Sequence, residues 1–181
     1  VFWIFIGFIR LAGHHLFFGR GVKPAYHPVS DDYLGSVDDK GRIKLPSALL
    51  RNVGGNPPYK FFVNRGFEKC LMLYPEKVWD RIVDKVNNLN SFVTEERNFI
   101  RYFFRGLRDV ATDSAERILL PKPLLEFAGI TKEVVLFGYM DRVEIWDKAT
   151  YYEWADMEPD NFAQLSDRLL GNRDEFSVEQ E

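Results

Sequence analysis

The spacing of apolar residues predicts short strands and helices in alternation along most of the chain. Short runs in which apolar residues alternate or follow one another predict strands at about 33–37, 42–45, 60–64 and 70–74. After Pro75 the spacing becomes helical, and one side of this predicted helix carries Val78, Trp79, Ile82, Val83, Val86 and Leu89. Proline suits the first turn of a helix, so we expect the helix to begin there.

The same pattern of residues occurs twice. Residues 38–46 read DDKGRIKLP and residues 113–121 read DSAERILLP, an offset of 75 residues. GFEKCLMLYP at 66–75 and GYMDRVEIWD at 138–147 form a second matched pair, with an offset of 72 residues. The difference of three residues falls in the loop near 52–58. Matched blocks in the same order indicate an internal duplication.

Each repeat is predicted to run strand–turn–strand, short helix, strand–turn–strand and longer helix. In the first turn, Asp38 can accept backbone N–H bonds, and Gly41 adopts a positive φ without strain. Pro46 ends the following strand because proline cannot donate to a ladder. The second repeat has Ala-Glu at 115–116 where the first has Lys-Gly at 40–41, so we expect the second turn to differ in shape.

The first repeat is predicted to contain a short helix at 47–52 and a hairpin around Arg65-Gly66. In the second repeat, a short helix is predicted between Pro123 and Gly129. A final helix is predicted at 160–171, and the last ten residues are expected to be frayed.

Another helix is predicted to begin at Thr94. The apolar stripe of this helix consists of Phe99, Ile100, Phe103, Phe104 and Leu107. The opposite stripe is basic and consists of Arg97, Arg101, Arg105 and Arg108. We interpret this stripe as a solvated helix face. The alternative is a row of phosphate-binding side chains or a contact between subunits, in which the stripe meets the acidic residues 141–181. The aromatic stripes, Trp79 and Trp146 are predicted to lie in the core.

Composition places the chain among globular proteins. It has 181 residues, of which 46% are hydrophobic and 28% charged. The single cysteine, Cys70, excludes an intrachain disulfide and a four-cysteine zinc site. Cys70 alternates with apolar strand positions and is predicted to be inert, and a reducing compartment fits this cysteine content.

The net charge of −3 conceals an uneven distribution. Residues 1–140 carry 20 Lys and Arg against 15 Asp and Glu, whereas residues 141–181 carry 4 against 12. Residues 35–69 alone hold seven basic side chains and three acids. Since an interface responds to the local potential, the acidic tail does not exclude nucleic-acid binding by the body.

Residues 1–27 are interpreted as an appendage outside the repeated body. The apolar run is interrupted by Arg10, well short of the roughly 18 apolar residues of a spanning helix, and it lacks the basic start of a signal peptide. A poorly ordered tail and an oligomer contact remain open, and a membrane role is the less favoured alternative. His14 and His15 do not share a helix face or a strand face, so we interpret them as solvated rather than metal-binding.

An enzyme is one alternative, because Asp38 and Asp113 occupy equivalent places in the two repeats, as the two carboxylates of an aspartic protease do. Such a dyad shares one proton, whereas each Asp here has an arginine four residues later, which favours two ionised acids. The sequence shows no glycine-rich phosphate loop, nucleophile elbow or metal-ligand cluster. We therefore expect no catalysis, no metal and no cofactor.

The residues now described closely resemble the MraZ family of bacterial transcriptional regulators, which are tandems of two swapped-hairpin domains of the AbrB/SpoVT type. The resemblance covers about 29–171. It is carried by DDKGRIKLP, GFEKCLMLYPEKVW, FFRGLRD, DSAERILLP and KEVVLFGYMDRVEIWDK.

The resemblance implies a mainly β fold with short helices, α+β in class, in which two half-barrels form a pseudo-duplicated barrel. It places an extension at 1–28, the first repeat at 29–91, a connecting helix at 92–106, the second repeat at 107–154 and an acidic helix and tail at 155–181. Family members form closed rings and bind short tandem promoter repeats upstream of the division and cell-wall gene cluster, often as repressors. They are found in the cytoplasm at the nucleoid, and neither a membrane nor a small-molecule substrate is implied as a partner.

The family's D-x-x-x-R turn is its DNA-reading element, which maps here onto Asp38–Arg42 and Asp113–Arg117. A two-stranded ribbon fits the major groove, and an arginine such as Arg42 can bond guanine O6 and N7 together. The further DNA-binding candidates are Lys40, Lys44 and Arg51 as phosphate contacts, Gly41 as the turn former, and Arg117 as a weaker or structural residue.

Two alternatives stay open at this stage. The D-x-x-x-R turn is also explained by a purely structural Asp-capped hairpin with an ion pair inside the turn. The whole chain is alternatively an antitoxin-like protein-interaction module or a ring scaffold without DNA specificity.

Overall fold

The computed structural model describes residues 32–53, 56–139, 141–156 and 162–171. The strands are β1 (Asp32–Ser36), β2 (Arg42–Lys44), β3 (Lys60–Arg65), β4 (Cys70–Pro75), β5 (Arg108–Ala111), β6 (Arg117–Leu119), β7 (Glu133–Tyr139) and β8 (Arg142–Asp147). The α-helices are α1 (Ser47–Val53), α2 (Glu76–Asn87), α3 (Thr94–Phe103), α4 (Lys122–Ala128), α5 (Lys148–Ala155) and α6 (Phe162–Ser166), and a π-helical turn follows at Asp167–Gly171. The fold of the described residues is therefore α+β, with eight strands in sheets and several short helices, and this mixed class agrees with the sequence prediction.

The strands form two antiparallel sheets. The larger has the order β1-β7-β8-β4-β3-β5 and is open, with β1 and β5 at its edges. The smaller consists of β2 and β6 and is called the ribbon below. Interchanging the two repeats leaves both strand orders unchanged, so the duplication in the sequence becomes a pseudo-twofold relation in the structure.

The repeats exchange their first strands. β1 of the first repeat pairs with β7 of the second, and β5 of the second pairs with β3 of the first. A single bridge, Val37 to Ile43, is all that remains of the expected pairing between β1 and β2. The first strand–turn–strand unit of each repeat keeps its predicted turn, but both of its strands find partners in the other repeat. The second unit of each repeat pairs as a hairpin within that repeat.

One apolar core is built from both repeats. It fills the space between the larger sheet, the ribbon and the short helices α1 and α4. Its fully buried side chains include Ile43, Leu45, Leu50, Phe61, Val63, Leu71, Leu73, Ile118, Leu120, Leu124, Val134, Leu136 and Ile145. Neither repeat can bury these residues alone, so the ribbon is held in place by the whole core.

The opposite face of β3 and β4 is covered by aromatic rings. Trp79 of α2 stacks on Phe62 and Phe103, with ring centroids 5.2 and 5.7 Å away. Tyr74 and Phe104 complete the cluster. The core positions predicted for Trp79 and Trp146 are confirmed, since both side chains are buried.

The predicted basic stripe is wrong in its second half. α3 ends at Phe103, Arg105 lies in the following turn, and Arg108 begins β5. Gly106, with φ of 89°, turns the chain there, which glycine does without strain. Arg97 donates to the carbonyl oxygens of Ser91 and Phe92, so it secures the loop before its own helix.

The structure divides into two compact units, the first ending at Lys148. In the second unit, α5 is followed by α6 and the π-helical turn, where the sequence predicts a helix at 160–171. Among the described residues, every helix is too short or too polar to cross a bilayer, and no cluster of metal-ligating side chains is found. The N-terminal appendage with His14 and His15, and the last ten residues, for which the sequence predicts fraying, lie outside the described residues.

Candidate nucleic-acid interface

The ribbon places the arginines of both D-x-x-x-R motifs on one surface. In its register, Arg42 faces Leu119, Ile43 faces Ile118, and Lys44 faces Arg117. Side chains alternate between the two faces of a strand, and directly paired residues share a face. Ile43 and Ile118 are fully buried on the inner face, so the outer face carries Arg42, Lys44, Arg117 and Leu119.

The first turn is locked by Asp38. Its Oδ1 accepts hydrogen bonds from the backbone N–H groups of Lys40 and Arg42, each at 2.9 Å. Its Oδ2 accepts from Arg42 Nε at 2.8 Å and lies 2.7 Å from Nη2. The backbone adds a bond from Gly41 N–H to the Asp38 carbonyl, with φ of 81° at Gly41. One carboxylate therefore shapes the turn and orients the guanidinium at once.

The second turn has the same geometry, so the expectation that it differs is wrong. Asp113 accepts from the N–H groups of Ala115 and Arg117 and from Arg117 Nε, each at 2.9 Å. Glu116 takes the place of Gly41 and adopts a φ of 61°. A left-handed conformation costs a non-glycine residue about 1 kcal/mol, and the surrounding hydrogen bonds are sufficient to impose it.

The ion pair leaves one edge of each guanidinium open. In Arg42, Asp38 occupies Nε and Nη2 through a single oxygen. No acceptor in the described part of the chain engages Nη1 of Arg42, and Arg117 is arranged in the same way. The Nη1–Nη2 edge is the fork that can bond guanine O6 and N7 together. The intraturn pair thus shapes the turn and leaves this edge of the arginine free to bond an external acceptor.

The two carboxylates are held in their ionised forms. The side-chain hydrogen bond from Arg42 lowers the pKa of Asp38 from 3.8 to about 2, and the bond from Arg117 does the same to the pKa of Asp113. Each acid is committed to its own arginine rather than to a shared proton. This arrangement contradicts the aspartic-protease interpretation.

These pKa values predict an acid-sensitive component of stability. Because both folded-state pKa values lie below the ordinary 3.8, the stabilisation is complete above about pH 4 and is lost as the pH falls towards 2. Urea unfolding between pH 7 and pH 2.5 should therefore show a smaller loss of stability for Asp38→Asn/Asp113→Asn than for the wild type. If the unfolding free energy of the two proteins depended on pH in the same way, the stabilising role of the two aspartate–arginine pairs would be contradicted.

The turn glycine gives a second prediction. In Gly41→Ala, the new Cβ would carry the strained φ of 81° and lie 3.1 Å from the Leu120 carbonyl oxygen. We expect the free energy of unfolding to fall by about 1–2 kcal/mol. Glu116→Ala is the matched control, because that position already holds a side chain at positive φ. Measured by urea unfolding, an equal loss in both variants would contradict the strain argument.

The remaining sequence candidates are exposed, two of them on the ribbon or its first turn and one on α1. Lys40 is exposed in the first turn, Lys44 is exposed on the outer face, and Arg51 is exposed in the last turn of α1. Sequence reasoning missed Leu119, whose side chain is 56% exposed on the outer face between basic residues. In the run Arg117-Ile-Leu-Leu-Pro, only the pairing with β2 reveals which apolar residue points outward.

Cys70 takes no part in this surface. It is fully buried on β4, where desolvation raises the pKa of its thiol to about 12. The thiol is therefore protonated at neutral pH, which agrees with the prediction that it is inert.

Comparison with known families bears on this surface. A family model described as "MraZ protein, putative antitoxin-like" matches the chain twice in tandem, at residues 31–102 and 103–173. The chain belongs to the MraZ family. The two matched segments cover most of the chain and agree with the internal duplication.

Several curated relatives are named transcriptional regulator MraZ. The relative from Flavobacterium psychrophilum is 38% identical over 149 residues, which cover 81% of this chain and 95% of the relative. The relative from Christiangramia forsetii is 40% identical over 143 residues, covering 78% and 92%. The relative from Syntrophomonas wolfei is 32% identical over 139 residues, covering 77% and 94%.

Proposed function

We propose that the chain is a sequence-specific DNA-binding transcriptional regulator and that its ribbon reads the major groove. The outer face of the ribbon carries the proposal, since Arg42, Lys44 and Arg117 project from it together. The naming of the relatives as transcriptional regulators supports a DNA partner rather than a substrate. The same naming favours a regulator over an enzyme.

The chemistry of this face suits base reading. A two-stranded ribbon matches the width of the major groove, and each oriented arginine can bond one guanine. Leu119 lies between these side chains and can contact a thymine methyl group. Asp38, Asp113 and Gly41 act indirectly by holding the turns, whereas Lys40, Lys44 and Arg51 would meet phosphates.

The biological target is proposed from the family. It comprises tandem short repeats in the promoter of the bacterial division and cell-wall gene cluster, where the chain would act as a repressor in the cytoplasm at the nucleoid. One ribbon makes few contacts, so we propose that a closed ring of subunits presents several ribbons to successive repeats. Such multivalency typically raises affinity by 10²–10⁴-fold.

We further propose that each repeat contributes one swapped-hairpin half-barrel, with repeats at 29–91 and 107–154 joined by the segment 92–106. The exchange of β1 and β5 between repeats supports this interpretation. Exposed apolar side chains at Phe92, Phe99 and Tyr102, the first of them 93% exposed, favour a further protein contact. We propose that a neighbouring subunit of the ring covers these side chains.

The test is selection of duplexes from a random pool by the full chain, followed by titration of a labelled selected duplex. Light scattering on the same sample measures the mass of the assembly. We expect saturable, salt-sensitive binding to a repeated motif by a multimer. Binding without any sequence preference would refute the proposal that the chain is a sequence-specific regulator.

The second candidate is an antitoxin-like interaction module, which the description of the family model and the exposed apolar residues favour. It predicts a stoichiometric protein partner in purified material and no enriched motif in the selection. An enriched motif bound by the isolated chain would exclude this candidate as the sole function.

A further inference from the structure

The two ends of the ribbon are related by the pseudo-twofold, which allows them to be compared residue by residue. At the first end, Val37 N–H donates to the Lys132 carbonyl at 2.7 Å; at the second, Thr112 N–H donates to the Tyr59 carbonyl at 3.0 Å. The carbonyls of the equivalent turn residues Gly41 and Glu116 likewise accept equivalent backbone bonds, both at 2.9 Å. Differences in side chains between the ends are therefore differences at matched positions.

At the second end, a side-chain bridge joins the turn to α1. Glu116 Oε2 accepts a hydrogen bond of 2.8 Å from the hydroxyl of Ser47, the first residue of α1. The equivalent positions at the first end are Gly41 and Lys122, the first residue of α4. Because glycine has no side chain, no such bridge can form there.

The first end borders a cleft of about 600 Å³. Its walls include three lysines, Lys40, Lys122 and Lys132. At the matched positions of the second end stand Ala115, Ser47 and Tyr59. The lysines of the cleft are thus a property of one end and not of the duplicated fold.

The charges facing this cleft leave it positive. Asp38 is neutralised by Arg42, which leaves Asp39 as the acid that lines the cleft against three lysines. Glu126 approaches Lys122 Nζ to 3.8 Å, but Lys122 is 86% exposed and the pair is screened by water. The second end carries its positive charge elsewhere, on Lys44 of the outer face and on Arg51 at the end of α1.

We propose that this cleft binds a phosphate of the DNA backbone beside the groove that the ribbon enters. Leu119 lies both on the outer face of the ribbon and in the wall of the cleft, so the two surfaces are continuous. At the second end, the carboxylate of Glu116 occupies the matched place and repels phosphate. The proposal rests on the proposed function, and it assigns Lys122 and Lys132, which lie in the second repeat, to a contact at the turn of the first.

A one-sided phosphate contact gives the ribbon a direction. A ribbon with true twofold symmetry would bind a site equally well in either orientation. The cleft makes one orientation more favourable, because only the first end can engage the backbone at that position. A directional reader is what tandem direct repeats require of successive identical subunits.

The first experiment measures how DNA affinity depends on salt. Lys122→Ser/Lys132→Tyr gives the first end the residues of the second, and Lys77→Ala/Lys85→Ser removes two exposed lysines from α2 as the charge-matched control. On a duplex selected with the wild type, we expect the slope of log affinity against log salt to fall by about 2 in magnitude. Affinity at 0.1 M salt should fall about tenfold or more, with little change in the control.

The second experiment locates the contact. Single methylphosphonates are placed along one repeat of the selected duplex to remove individual phosphate charges. We expect positions on one side of the site to weaken wild-type binding, and these same positions to be silent in Lys122→Ser/Lys132→Tyr. Sensitive positions that are symmetric about the site, or equally sensitive in the variant, would overturn the proposal.

A third arm separates DNA phosphate from a small anion. Pyrophosphate is titrated into the protein without DNA and into the complex. Weak binding, at millimolar concentrations or above, agrees with a cleft that takes phosphate from the duplex. Micromolar binding lost in the double variant would overturn the proposal in favour of a small-molecule site. Failure of the wild type to select any motif refutes the regulator itself, whereas selection with an unchanged salt slope in the variant refutes only the cleft.

Discussion

Arg42→Ala is expected to weaken binding to the selected duplex by about 5- to 150-fold for one ribbon, the equivalent of 1–3 kcal/mol. The guanidinium is held by Asp38 through Nε and Nη2, so the edge that would meet guanine is already oriented before DNA arrives. In a ring that engages several repeats, the loss should multiply with the number of ribbons bound. Fluorescence anisotropy with the selected duplex, and with a duplex changed at one guanine, measures both affinity and specificity.

Three matched variants show what the arginine contributes. Arg42→Lys keeps the charge but not the planar fork, so it should retain non-specific binding and lose discrimination. Arg117→Ala should show a loss of the same kind, because its turn has the same bonds and its side chain shares the outer face. Arg51→Ala should lower affinity equally for all sequences. Wild-type discrimination by a correctly assembled Arg42→Ala protein would refute ribbon reading.

Ile118→Ala is expected to lower the free energy of unfolding by about 2–5 kcal/mol. The side chain is fully buried and faces Ile43 across the ribbon, where both contact the core that joins the repeats. Removing it leaves a cavity under the strand that carries Arg117. Urea unfolding at a fixed protomer concentration measures the loss, since assembly contributes to apparent stability.

Leu119→Ala is the matched control for that prediction. It removes a similar side chain from the next residue, but Leu119 points to the outer face. The change in unfolding free energy should stay within about 0.5 kcal/mol, as for most surface substitutions. A comparable loss in both variants would mean that the ribbon does not separate a buried face from an exposed one.

Most individual helices and hairpins could be predicted from the sequence, because each depends mainly on residues that are close together in the chain. The helix after Pro75 is observed at Glu76–Asn87, and the predicted hairpin around Arg65-Gly66 is observed between β3 and β4. The apolar spacing of the helix that contains Arg97 continues to Leu107 and predicts too long a helix, whereas the helix ends at Phe103 and Gly106 turns the chain. Periodicity identifies a face but not the residue at which the helix ends.

The candidate site was predicted in its residues but not in its arrangement. Asp38 and Arg42 could be assigned to a turn because the motif is short and repeated. The joining of Arg42 and Arg117 on one ribbon could not be predicted, since it depends on strands 75 residues apart finding each other. For the same reason Leu119, Lys122 and Lys132 had no visible relation to the first turn.

The sequence alone determined the duplication, the two aspartate-locked turns, the family and the uneven distribution of charge, because each of these is written in residue identity and short spacing. The tertiary structure decided the rest: which strands pair, that one core is built from both repeats, that the outer face carries both arginines, and that a lysine-lined cleft borders the first end of the ribbon. Strand pairing is set by the burial of apolar side chains over the whole chain, to which distant residues contribute as much as neighbours. A turn can therefore be predicted from five consecutive residues, whereas the surface to which it contributes depends on both repeats together.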